Sequence, residues 1–345
     1  MLTDKRILIT GAGGSFGTCF INRLLNDHDI DKVICFSRDP HKHDVLRQRF
    51  DNHPKLNCII GDVRDKDRLR IAFDGVDYVI HAAALKQVVD GEYNADEYVK
   101  TNVVGTGNVC YAAWAAGVRK VVALSSDKAC SPCNNYGRSK AQAEGVAINW
   151  NHYAALSDTR YCATRYGNVI GSEGSVVPFF RKMLAAGEPL QITDTRMTRF
   201  WMSLEQSVDL VLFALENMIG GETFVPSLPA IRIMDLAAAM VHDKVGDGLD
   251  EMPPPPDESV NVAGCFFDII GIREGEKLHE ALIAPEEVGR TQEYGGYYII
   301  EPMVSKWRRD GEGWDAERVD EDFSYTSDTA EFLSVEQIRE SIDGS

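Results

Sequence analysis

Six short runs rich in β-branched and apolar residues, at 6–10, 32–37, 56–61, 78–82, 120–125 and 161–166, recur through the first half of the chain. Between them lie helical patterns such as 15–26, 98–116 and 136–154. Near-continuous apolar strands alternating with helices predict a parallel sheet covered on both faces. The expected fold class is therefore α/β: a doubly wound parallel sheet of Rossmann type, followed by a smaller C-terminal α/β domain.

The rhythm breaks after about residue 170, which sets the expected domain boundaries. Residues 1–170 should form the sheet domain, with 203–232 returning to it, and 171–202 with 233–302 a second domain. The stretch 244–263, with Pro253–Pro256 at its centre, excludes regular helix or central strand and reads as a surface insertion. From 286 to the end there are 16 acidic and 6 basic residues, so 303–345 is expected as a solvated acidic extension with one short helix near 334–342.

The formal net charge of the 345-residue chain is −17. That field repels nucleic acid and anionic lipid, so neither is expected as a partner, and any bound anion needs a local positive site. No apolar run approaches the ~18 residues of a membrane helix, and the first apolar run is too short for the core of a signal peptide. The expected location is the cytoplasm. The eight cysteines are scattered, as reduced, buried cysteines are. Cys130 and Cys133 form a lone C-x-x-C without a second pair or nearby histidines, so no metal site is expected.

The first strand runs directly into Gly11-Ala-Gly-Gly14-Ser15-Phe16-Gly17 and then a helix. This spacing supplies a tight turn, close backbone approach, and a helix N-terminus aimed at a pyrophosphate, so a dinucleotide cofactor is expected there. At the end of the second strand a carboxylate would bind the ribose diol of NAD. This chain reads Ser37-Arg38 instead, and a hydroxyl with a guanidinium suits the 2′-phosphate of NADP. Asp39, one step on, would favour NAD if it turned inward. Asp62 and Val63 follow the third strand, at the expected adenine edge, and Ala82, Ala83 and Ala84 follow the fourth, keeping the cofactor wall small.

Strand five ends in Ser125-Ser126-Asp127-Lys128, and eight residues on comes Tyr136-Gly-Arg-Ser-Lys140. Tyrosine and lysine four apart share a helix face, and the lysine cation can lower the phenol pKa so that tyrosinate serves as a base. With the glycine loop, this Y-x-x-x-K resembles the extended short-chain dehydrogenase/reductase superfamily. The stretches HAAALKQV, ALSSDKA, RYGNVIGSEGSVVPFF, ITDTRMTRFW and IIGIREGEKLHE are more specific. They resemble the inverting UDP-N-acetylglucosamine 4,6-dehydratases over roughly residues 5–300. Three departures stand out: Ser126 replaces a common threonine, Cys130 and Cys133 replace small or apolar residues, and 244–263 is longer than usual.

The resemblance implies C4 oxidation of the sugar with Tyr136 as base, elimination of water across C5 and C6, and hydride return to C6. It assigns Lys128 as the C5 base, Asp127 as the acid at the 6-hydroxyl, and Ser126 as a hydrogen-bonding partner of the sugar. It also carries over Arg199 and Arg273 to the diphosphate, Asn168 and the backbone leading into the Val177 helix to nucleotide and sugar, and Glu276 to the uridine ribose. Lys86 is placed near the sugar. Such products enter nonulosonic acid or related surface-sugar pathways. Relatives commonly pair the helices 98–116 and 136–154 across a two-fold axis, so a homo-oligomer, dimer or hexamer, is expected. A nucleotide-sugar 4-epimerase would need no acid–base pair after strand five, a non-inverting dehydratase more typically carries Asp-Glu there, and a non-catalytic NADP-sensing regulator tends to lose the tyrosine or lysine.

Overall fold

The computed structural model describes residues 2–172, 174–245, 260–262, 265–308 and 312–343, with the main chain alone at 242–245, 260–262 and 265–266. The chain divides into two units. Unit 1 comprises Met1–Tyr166, Glu205–Ser227 and Leu282–Phe323; unit 2 comprises Gly167–Leu204, Leu228–Ala281 and Ser324–Ser345.

Unit 1 begins with strand β1 (Arg6–Thr10) and helix α1 (Ser15–Asp27), followed by β2 (Lys32–Ser37), α2 (Pro40–Arg49), β3 (Leu56–Ile60) and α3 (Lys66–Ala72). Then come β4 (Tyr78–His81), the short helices α4 (Val88–Tyr93) and α5 (Ala95–Tyr98), and α6 (Gly105–Ala116). Strand β5 (Lys120–Leu124), helix α7 (Asn135–Tyr153) and strand β6 (Arg160–Thr164) complete the series. The six strands pair in parallel in the order β3-β2-β1-β4-β5-β6. Their two faces are filled separately. Ile7 and Ile9 pack with Phe20, Ile21 and Leu24 of α1, while Leu8 between them packs with Leu69, Phe73 and Val109 on the other side. Both faces being covered is what makes these strands apolar throughout.

Beyond β6 the sheet gains Thr223–Pro226 in parallel, then Tyr297–Ile300, Thr291–Tyr294 and Glu317–Arg318 antiparallel, for ten strands among the described residues. Unit 2 holds two three-stranded sheets, one of Ala230–Arg232, Thr198–Met202 and Asn168–Val169, the other of Val260–Val262, Cys265–Ile269 and Leu190–Ile192.

The expected boundaries shift at the C-terminus. Residues 282–323 belong to unit 1 and not to the second domain, and 324–345 belong to unit 2. The segment 303–345 is thus no solvated extension: Trp307, Tyr325, Ile338 and Ile342 are buried, and Ile338 and Ile342 join the unit 2 core. Acidic residues dominate its composition, but its apolar residues fall where a strand or helix buries one side. The helix expected over 98–116 is interrupted, because Val99–Val104 winds as a π-helix between α5 and α6. Of the expected insertion 244–263, residues 246–259, 263 and 264 lie outside the described residues.

Candidate active site

The turn between β1 and α1 has room only for glycine at two places. Gly11 has φ +70°, and a Cβ there would lie 2.9 Å from the Ala83 backbone. A Cβ on Gly17 would lie 2.5 Å from the Ala12 carbonyl oxygen. The first turn of α1 therefore sits hard against the end of β1, and the Ala82–Ala83 strand end closes over Gly11. Gly14 stands at the N-cap of α1, where it makes no side-chain hydrogen bond. Ser15 opens the helix, and Phe16 stacks on Phe20 at 5.6 Å. A glycine turn leading into a helix N-terminus is the arrangement that suits a pyrophosphate.

At the ends of β2 and β3, Arg38 lies 3.7 Å from Asp62 and is half exposed. Asp62 accepts hydrogen bonds from the main chain and guanidinium of Arg64; burial raises its pKa, but those bonds and the nearby arginines outweigh it and hold it below the ordinary value. Ser37 hydrogen-bonds His43 at 2.7 Å. The Asp39 carboxylate accepts the His41 N–H at the start of α2. Its capping role turns it to the helix. Val63 is buried against Gly105.

After β5 the chain makes one 3₁₀ turn, Asp127–Ala129, capped by Ser126. The Ser126 hydroxyl donates to Asp127 Oδ1 at 2.8 Å, and Lys128 Nζ donates to the same oxygen at 3.1 Å. Asp127 is 1% exposed and its other oxygen, Oδ2, is buried without a protein partner. A buried carboxylate with one oxygen saturated and the other bare is unusual for a structural residue, because the bare oxygen carries a desolvation cost. Helix α7 brings up Tyr136 and, one turn on, Lys140. Lys140 is buried and donates to the Leu124 carbonyl at 2.5 Å. Burial pushes its pKa down to about 8, and Glu144, a further turn along, opposes that shift.

Several supporting residues carry no motif of their own. Asn102, in the π-helix, holds both main-chain groups of Leu85 and donates to Ser139 Oγ, which in turn donates to the Tyr136 carbonyl. It thereby ties the loop after β4 to the catalytic helix. His81 bridges Thr10 and Thr106 at 2.7 and 2.9 Å, and burial, with the Lys140 charge, pushes its pKa down to about 3, so it is neutral. Gly137 lies so close to the Lys128 carbonyl that a Cβ would overlap it. Arg165, 3% exposed, is clamped between Glu144 and Glu287. The signal available was buried polar residues on apolar helix faces, such as Asn102 and Thr106 four apart.

Lys86 is exposed on the loop between β4 and α4. The remaining expected residues lie in unit 2. Asn168 pairs in register with Trp201, its Oδ1 buried without a partner. Val177 puts its side chain into the unit 2 core, so only its main-chain N–H, in the first turn of Val176–Ala186, remains for a ligand. Arg199 is buried and spends its donors on the carbonyls of Thr198 and Leu278 and on the Met197 sulfur, with Glu280 at 3.9 Å. Arg273 is exposed and forms a turn with Glu276, whose N–H donates to the Arg273 carbonyl at 3.1 Å.

The family of polysaccharide biosynthesis proteins matches residues 7–302. A Campylobacter jejuni protein named UDP-N-acetylglucosamine 4,6-dehydratase (inverting) is 44% identical over 335 residues, covering 95% of this chain and 94% of that protein. A Rickettsia massiliae protein named UDP-glucose 4-epimerase is 41% identical over 349 residues, covering 99% and 96%. The solved structure of Pen from Bacillus thuringiensis matches with a TM-score of 0.86 at 33% identity, over 100% of this chain and 99% of that one. With its doubly wound sheet, glycine cradle and Tyr136–Lys140 helix, the chain belongs to the polysaccharide biosynthesis protein family, as a relative of the inverting UDP-N-acetylglucosamine 4,6-dehydratases.

Proposed function

We propose that the protein is an NADP-dependent, C5-inverting 4,6-dehydratase that converts UDP-N-acetylglucosamine to UDP-2-acetamido-2,6-dideoxy-β-L-arabino-hexos-4-ulose. The observation that carries this reading is buried Asp127, held between half-buried Ser126 and Lys128 beside the Tyr136–Lys140 helix. An epimerase needs the tyrosine and lysine but has no use for a second acid and base.

The residues fit a nicotinamide dinucleotide: Gly11, Gly14 and Gly17 leave a backbone cradle, and Ser15 and Phe16 open the helix above it. Ala82, Ala83 and Ala84 keep the adjoining wall small, Asp62 and Val63 meet the adenine, and Ser37 with Arg38 takes the 2′-phosphate. When bound, the cofactor accepts hydride from C4 and returns it to C6. Tyr136 removes the proton of the 4-hydroxyl, its phenolate favoured by the buried Lys140 cation. The resulting 4-ketone acidifies the hydrogen at C5. Lys128 takes that proton, and Asp127 gives one to the departing 6-hydroxyl while Ser126 holds the sugar.

Each member of the pair must be in its less common form at neutral pH, lysine neutral and aspartic acid protonated. Their direct contact supplies a route, because moving one proton from Lys128 to Asp127 produces both forms at once. The proton would then sit on Oδ1, the oxygen that Lys128 contacts. Reprotonation of C5 from the opposite face gives inversion. For the uridine diphosphate portion we assign Asn168, the Val177 main chain, Arg273 and Glu276, with Lys86 near the sugar; Arg199, its donors engaged by Thr198, Leu278 and Met197, is left out.

The test is NMR of the product formed from UDP-N-acetylglucosamine and NADP in heavy water. A 4-ketone, loss of the 6-hydroxyl, deuterium at C5 and inverted C5 configuration are expected. The name of the Rickettsia relative supports a second reading, a 4-epimerase; it would give the C4 epimer with the 6-hydroxyl retained. Trp114 is 43% exposed on α6, and Val146, Ile148 and Trp150 of α7 are half-buried. These faces support a homo-oligomer, dimer or hexamer, and a monomeric mass in solution would exclude it. Among the described residues, no helix is long and apolar enough to cross a membrane.

A further inference from the structure

Two cysteines face each other across neighbouring strands of unit 1, away from the catalytic cluster. Cys35 of β2 is the register partner of Cys58 of β3, and both are free thiols. Partners in a parallel ladder project from the same face of the sheet. Strands lie about 4.8 Å apart, inside the Cα range of about 4.4–6.8 Å that a disulfide spans. Cys35 is fully buried, whereas Cys58 is half-buried and packs against the same core cluster.

The surroundings of the two sulfurs differ in the way a reactive pair requires. The neighbouring Cys35 thiol, with Arg47 of α2 adding to its effect and burial and Asp44 opposing, brings the Cys58 thiol down to about 7. Cys58 and burial push Cys35 up, so it keeps its proton. Elsewhere the trend is the reverse. Cys110 and Cys162 are pushed up by burial, and Cys19 by burial and Glu205. Thiolate character with partial access and a neighbouring second thiol is the arrangement of a peroxide-reactive cysteine and its resolving partner.

We propose that Cys58 and Cys35 form a dithiol that hydroperoxides oxidise to a disulfide linking β2 and β3. The Cys58 thiolate attacks the peroxide: the O–O bond breaks, an S–O bond forms, sulfur gives up two electrons, and hydroxide leaves to take a proton from solvent. Cys35 then attacks the sulfenic sulfur. The S–S bond forms, the S–O bond breaks, and the Cys35 proton leaves with the hydroxyl group as water. The bond would lie just below the strand ends carrying Ser37, Arg38 and Asp62. External thiols would reverse it.

The test is peptide mapping of the full chain, first reduced, then treated with hydrogen peroxide and blocked with an alkylating agent. A cross-linked peptide pair joining Cys35 to Cys58, two hydrogens lighter and cleaved by dithiothreitol, is expected. Cys35→Ala should leave a sulfenic acid at Cys58 that dimedone captures, and Cys58→Ser should remove both products. The proposal is overturned if Cys35 and Cys58 are recovered as alkylated thiols while Cys133, or a Cys130–Cys133 disulfide, takes up the oxidation. The mapping of the unsubstituted protein decides the matter even if the buried Cys35 tolerates no replacement.

Discussion

Lys128 Nζ and the Ser126 hydroxyl converge on one oxygen of Asp127, at 3.1 and 2.8 Å, and leave its other oxygen bare in a buried position. The carboxyl group is thus oriented by two neighbours before any substrate arrives. Asp127→Asn keeps the shape but removes the acid. Turnover should fall about 10²–10⁴-fold, the usual cost of a positioned proton donor. Cofactor affinity, measured by fluorescence titration, should stay within about threefold, since the glycine cradle and Arg38 are untouched. A comparable loss of cofactor affinity would show that Asp127 serves the fold.

Gly137 packs against the carbonyl of the residue proposed as base. Gly137→Ala must push α7 and the 3₁₀ turn apart, moving Lys128 relative to Tyr136. Overpacking of this kind typically costs about 1–3 kcal/mol, visible in a denaturant titration. The account expects kcat to fall at least about tenfold, because small misplacements of reacting groups are expensive. Unchanged kcat would mean that the contact does not position the base.

Burial lowers Lys140 from the ordinary 10.5 to about 8, and this has a sign for stability. The unfolded chain binds the lysine proton more tightly than the native one, so stability should rise with pH between about 8 and 10.5. The difference in denaturant midpoint between the parent and Lys140→Met should show that rise; a flat difference contradicts it. Activity should decline above pH about 8 as the Lys140 cation is lost. Because Glu144 supports the charged form, Glu144→Gln should move that decline to lower pH, and Lys140→Arg should move it beyond the measurable range.

Arg165 carries the charge balance behind this helix. Arg165→Met strands Glu144 in a buried setting and leaves Glu287 with Arg290, and removing one partner of such a network costs about 3–5 kcal/mol. A melting temperature within a few degrees of the parent would refute the structural importance of the clamp.

Arg38→Ala should weaken NADP binding about 10–100-fold, as the loss of a charged hydrogen-bonded pair does, and NAD binding far less. Equal weakening of both cofactors by isothermal titration would remove Arg38 from that role.

Much of unit 1 was legible because each signal was local. The period of apolar residues gives β1 to β6, and Gly17 is glycine because Ala12, a few residues back, leaves no room for a Cβ, whereas Gly11 is crowded by Ala83 from a distant strand end. Ser126, Asp127 and Lys128 were readable from their place after strand five and from the resemblance, whereas their convergence on one Asp127 oxygen is what the structure adds. What escaped depends on long-range contact. Nothing near Glu287 signals that it closes a clamp on Arg165, and nothing near Gly137 names the Lys128 carbonyl as its neighbour. The C-terminal segment misled because charge is a property of composition, whereas Ile338 and Ile342 are buried through their spacing. For Arg199, the resemblance implied an anion site, while the structure shows its donors already engaged within unit 2.

The central claim is that Lys128 removes the C5 proton in a step separate from C4 oxidation. Lys128→Ala, mixed with UDP-N-acetylglucosamine and NADP in heavy water and quenched within one turnover of the parent, tests it directly by mass and NMR of the recovered sugar. The account predicts a 4-keto sugar that retains its 6-hydroxyl and carries protium at C5, whereas Tyr136→Phe yields unreacted substrate. Deuterium entering C5 of the Lys128→Ala sugar at the parent rate would contradict the assignment and place the base on another residue.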